Sequence, residues 1–95
     1  MTNEELKARL QNRIPEPEIL DKIVVLEGDE FADGAIGLTD DFKIVYSYER
    51  LVQSLSRAYG EKEEQSVEYL DYNTLRMIPY WKNQGLLAPI IVHEF

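Results

Sequence analysis

Leu6, Leu10 and Ile14 recur at every fourth position in a polar stretch, which puts them on one face of a helix. Thr2 and Glu5 have the spacing of a capping box at its start, and Pro15 with Pro17 stops it near Arg13. A longer stripe follows the same helical spacing: Tyr48, Leu51, Val52, Leu55, Ala58 and Tyr59. Ser47 stands where its N-cap belongs, and Gly60 where a C-cap belongs. A third helix is expected from Glu61, where clustered carboxylates suit the positive end of the helix dipole, as far as Pro79. Its apolar positions fall on two sides, Val67, Leu70, Met77 and Ile78 against Tyr69, Tyr72 and Leu75. Such a helix needs cover from more than one direction.

Elsewhere the pattern is that of strands. Lys22–Glu27 is a β-branched run closed by Gly28. Ala35–Thr39 and Phe42–Tyr46 flank Asp40 and Asp41, which reads as a hairpin with a tight polar turn. Ala88–His93 reads as a last strand, and the unbroken Ile90, Ile91 and Val92 predict cover on both of its faces. The order is α-β-β-β-α-α-β. It predicts an α+β fold, with helices packed on one face of a small, mainly antiparallel sheet. One domain spans residues 1–95, with the helix over residues 1–15 as a loosely attached appendage.

Composition supports a folded core. Of 95 residues, 44% are apolar and 11% aromatic, which argues against a disordered chain. The absence of cysteine excludes disulfides, thiolate metal sites and cysteine nucleophiles. The longest apolar stretch, Leu86–Val92, is interrupted by Pro89 and is far too short for a membrane span. The charged N-terminal residues lack the apolar core of a signal peptide, so a soluble cytoplasmic protein is expected.

The net charge is −8, and it is unevenly placed. Glu27–Asp41 carries six acids and no base, and Glu61–Asp71 five acids against one lysine. No cluster of Lys and Arg is available to replace the counterions of a phosphate backbone, so direct nucleic-acid or anionic-membrane binding is disfavoured. The acidic blocks suit a solubilising face, or a surface that docks on a basic protein.

Candidate chemistry is sparse. Asp29, Asp33 and Asp40, with Gly34 and Ile36, fall on positions of a twelve-residue calcium loop. Phe31 occupies the third ligand position, however, Asp40 replaces the terminal glutamate, and the flanks read as strands. His93 is the only histidine, so one chain cannot build a two-histidine metal site. None of Ser47, Ser54, Ser56 and Ser66 lies in a nucleophile elbow, and no phosphate-binding glycine loop is present. No cofactor is implied, and the residues lean away from an enzyme. The alternative is a metal-dependent or other small enzyme using Glu27, Asp29, Asp33 and His93.

The aromatics say more. Six tyrosines are too many for a core of this size to bury with every hydroxyl satisfied. Tyr69, Tyr72, Tyr80 and Trp81 are therefore expected at the surface as a partner-binding patch, for another protein or for a second copy in a homodimer. Like charge between two copies should keep that contact away from Glu27–Asp41 and make it tighten with salt. Asn73 and Thr74 are poor residues for a helix interior, so with Arg76 they are expected to form a polar lock on the neighbouring strand.

Glu68–Tyr80, with its Tyr72-Asn73-Thr74, Arg76 and Pro79-Tyr80, is followed by Ala88-Pro-Ile-Ile-Val92. Together with Phe31–Gly37 and Val45-Tyr46, these segments resemble a group of short proteins of unknown function from bacterial and phage or prophage genomes. The likeness covers roughly residues 22–92. It implies no activity, cofactor or ligand, and it suggests a mobile-element setting in which small acidic inhibitors of host proteins are common. The expected function is a protein-binding module.

Overall fold

Thr2 caps the first helix: its hydroxyl accepts the Glu5 N–H at 3.1 Å, and α1 runs Asn3–Arg13. The computed structural model describes all 95 residues. Leu6, Leu10 and Ile14 are buried in the same apolar cluster as Leu51 and Leu55 of a later helix, so α1 packs on the body of the fold. A short α2 (Pro17–Leu20) follows, with Pro17 in its first turn, where the missing N–H costs nothing.

Residues Asp29–Ala32 form a helical turn, α3, with Phe31 and Ala32 buried. The hairpin follows as β1 (Ala35–Leu38) and β2 (Ile44–Ser47), antiparallel, with a bulge between Ala35 and Gly37. Its turn is one residue longer than expected. The Thr39 N–H reaches the Lys43 carbonyl at 2.8 Å, the Phe42 N–H reaches the Thr39 carbonyl at 3.0 Å, and Phe42 is left-handed at φ 67°. A two-residue turn needs left-handed backbone that Asp-Asp supplies poorly, whereas the three-residue turn needs it once. Phe42 accepts a strain of roughly 1 kcal/mol while its half-buried ring packs on the core.

Ser47 ends β2 and caps α4 (Tyr48–Tyr59), accepting the Arg50 N–H at 3.3 Å. Leu51, Val52 and Leu55 of the stripe are buried, Ala58 and Tyr59 emerge into solvent, and Gly60 closes the helix at φ 61°. Gly34 lies beneath its first turn. A Cβ there would come within 2.5 Å of the fully buried Leu51 side chain, so no larger residue fits.

The expected third helix is divided. α5 (Glu63–Tyr69) passes into a π turn (Leu70–Thr74), a 3-10 turn (Leu75–Met77) and α6 (Ile78–Asn83). Pro79 starts α6 rather than ending a helix, because its missing N–H falls among the unpaired donors of a first turn. The last strand, β3 (Ile90–Val92), runs parallel to β2, so the order is β1-β2-β3 and the α+β sheet is mixed rather than mainly antiparallel. The long passage through α4, α5 and α6 permits this, since a parallel neighbour requires a crossover. Ile90, Ile91 and Val92 are half-buried and not covered on both faces.

Lys22–Glu27 is extended but forms no strand. It makes one parallel bridge, Ile23 to Leu87, through Leu87 N–H to Lys22 O at 2.8 Å and Val24 N–H to Leu87 O at 3.1 Å. The next rung of a parallel ladder would need the N–H of residue 89. That residue is Pro89, which has none. The ladder goes no further, and the next inward donor, the Leu26 N–H, is accepted by a side chain, the hydroxyl of the fully buried Tyr46, at 3.0 Å. Burial pushes that phenol up to about 12.

Tyr46→Phe keeps the ring and strands the buried Leu26 N–H. It should cost about 1–3 kcal/mol in denaturant unfolding, with the slope unchanged. A loss below about 0.5 kcal/mol would show that the bond contributes little.

Candidate functional site

The acidic block does not assemble a metal centre. No group of three or more His, Asp or Glu side chains converges anywhere in the chain, and Asp40 sits apart in the hairpin turn. Glu27, Asp29 and Asp33 hold the start of α1 instead. Asp29 accepts the Asn3 N–H at 2.8 Å, Glu27 accepts from Asn3 Nδ2 at 2.7 Å and pairs with Lys7 at 3.1 Å, and Asp33 pairs with the Met1 ammonium at 2.9 Å. Carboxylates at a helix N-terminus meet its unpaired N–H groups and its positive dipole end. The Met1 ammonium holds the Asp33 carboxyl below the usual carboxylate range.

His93 is far from that block and joins a clasp between the chain after β3 and the first turn of α4. Glu49 accepts the Glu94 N–H at 2.6 Å and meets His93 Nδ1 at 2.8 Å with its other oxygen. Arg50 Nε donates to Glu94 at 2.8 Å, and the His93 ring lies 4.7 Å from that of Tyr48. The Glu94 N–H, then His93, holds the Glu49 carboxyl low, and the Ser47 hydroxyl, then Arg50, does the same for Glu94. His93 therefore does not join Glu27, Asp29 and Asp33, and the four do not form one site.

The aromatic residues do come together in part. Tyr69 and Trp81, with Asn73 and Thr74, line an open groove of about 260 Å³ whose far wall is Val25, Leu26, Glu27 and Phe31. Beside it, Tyr69 and Asn73 also border a shallow depression with Gln65, Glu68, Asp71 and Tyr72. Tyr72 is 72% exposed, with the Arg76 guanidinium 4.8 Å over its ring, while Trp81 is half-buried against the core. Tyr80 is exposed but borders neither depression.

Asn73 and Arg76 act within their own segment. Asn73 Nδ2 donates to the Tyr69 carbonyl at 3.2 Å, taking up an acceptor at the entry to the π turn, Arg76 stacks on Tyr72, and Thr74 is buried. These contacts thus stay within Tyr69–Arg76, around the π turn, and Asn73 does not reach a strand. Wide turns of this kind are frequent at functional sites. The contributions of Val25, Leu26 and Phe31 left no trace in the sequence, because the groove joins segments separated by the hairpin and α4. Glu27 was legible as an acid but not as its rim, and Glu68 not as a neighbour of it.

No protein-family model, curated protein or solved structure matches the chain. No helix is long and apolar enough to cross a membrane.

Both clasp carboxyls titrate lower in the folded chain than when unfolded. Their stabilisation is therefore complete above the ordinary carboxylate range and is lost as pH falls through the depressed folded values. The melting temperature should be level down to about pH 5 and fall below about pH 4. Glu49→Gln should lower it at neutral pH and flatten part of the acid slope. An acid profile identical to that of the wild type would contradict the clasp.

Proposed function

We propose that this chain is a protein-binding module whose groove between Val25–Phe31 and Tyr69–Trp81 receives a basic, extended segment of another protein. One observation carries the reading: the groove combines aromatic walls, Phe31, Tyr69 and Trp81, with an acidic margin at Glu27. Glu68 and Asp71 add charge of the same sign next to it. Aromatic anchors give affinity, and the carboxylates choose a partner rich in Lys or Arg.

The sequence suggested that the aromatic contact would avoid the acidic block. Glu27 and Phe31 belong to the groove itself, so the attraction is between opposite charges, and binding should weaken rather than tighten as salt rises. Two chains of net charge −8 repel, so a second copy is the poorer occupant. A cytoplasmic inhibitor from a phage or prophage, covering a basic surface of a host protein, fits this chemistry and the resemblance of Glu68–Tyr80.

Selection from a random peptide library tests the reading. Enriched peptides should be basic, and their affinity should fall at least tenfold, about 1.4 kcal/mol, in Tyr69→Ala combined with Glu27→Gln. The affinity should also fall between low and high salt. Enrichment of peptides without basic residues, or binding indifferent to both substitutions and to salt, would contradict it.

A further inference from the structure

Arg9 and Arg13 lie one turn apart on α1, and neither belongs to any ion pair of the chain. Lys7, Lys43 and Arg50 are the bases that form ion pairs, so Arg9 and Arg13 are distinguished from the other unpaired bases by what they border. Both border the same cavity, about 270 Å³, between α1 and the edge strand β1. Its other walls are mainly apolar: Leu6 and Leu10 from α1, Ile36 and Leu38 from β1, and Ile44 from β2. Ile36 is 43% exposed there.

A free sheet edge can recruit a strand, but this one is four residues long and bulged between Ala35 and Gly37, two devices that block strand addition. The volume lies near the lower end for small-molecule sites. Paired guanidinium groups over an apolar floor favour a planar or tetrahedral anion attached to an apolar body.

We propose that this cavity binds a small amphipathic anion, its head held by Arg9 and Arg13 and its apolar tail seated on Leu6, Leu10, Leu38 and Ile44. The site is separate from the aromatic groove and does not rest on the protein-binding reading.

The test is a titration of the isotope-labelled full chain, followed by amide NMR, with four probes: octanoate, monooctyl phosphate, octanol and acetate. At least one octyl anion should give saturable shifts centred on Arg9, Arg13, Leu38 and Ile44, and the tighter of the two identifies the head group. Octanol, with the tail alone, and acetate, with the head alone, should bind at least tenfold more weakly. The double variant Arg9→Gln, Arg13→Gln should lose at least tenfold in affinity for the octyl anion while keeping its melting temperature, since both side chains are exposed. Octanol binding as well as octanoate, unchanged affinity in the variant, or no saturable shift with either anion would overturn the proposal. The last result would mean that the arginine stems merely cover the apolar wall.

Discussion

The hydrogen bond from the Leu26 N–H to the buried Tyr46 hydroxyl is the constraint on which the rest of the structure depends. Leu26 is 5% exposed, so its N–H cannot turn to water, and an unpaired buried N–H is costly. The parallel ladder stops after the single bridge of Ile23 and Leu87, and no backbone carbonyl accepts this N–H. The side chain of the central strand therefore takes over a task that backbone would otherwise perform. Through this bond, β2 holds Val25, Leu26 and Glu27 as one wall of the groove. Glu27 in turn holds Asn3 and Lys7, so the seating of α1 draws on the same segment.

Local information was legible where it was complete. α4 had an apolar stripe, a serine at its start and a glycine at its end; both caps and the buried centre of the stripe, Leu51, Val52 and Leu55, occupy their expected places. The hairpin was legible as a pair of strands, but its turn length depended on where Phe42 could bury its ring, which spacing does not report. Pro79 was ambiguous in principle, since proline ends one helix and begins another with equal ease. The discomfort of Asn73 and Thr74 in a helix was real, and the π turn is its outcome. Lys22–Glu27 had the composition of a strand and the backbone of one. What it lacked was a partner, and that was decided by a proline more than sixty positions later.

The same gap between local and distant information explains the acidic residues. Their spacing resembled a cation loop, yet their ligands are the start of α1 and its flanking cations. Glu49 and Glu94 fasten the segment after β3 to α4. Asp29, Asp33 and Glu49 thus hold backbone in place, while Glu68 and Asp71 lie beside the groove. The aromatic surplus was legible from the count of tyrosines alone. Which of them would share a groove with Glu27 was not.

The most direct test of this account is native-state amide hydrogen exchange at Leu26. Its N–H is expected to exchange as slowly as those of Leu51 and Leu55 in α4, through global unfolding alone. Val25 and Glu27, whose N–H groups make no backbone hydrogen bond in the same extended stretch, should exchange far faster. Exchange of Leu26 at the rate of those neighbours would contradict the claim that Tyr46 anchors this segment to the sheet.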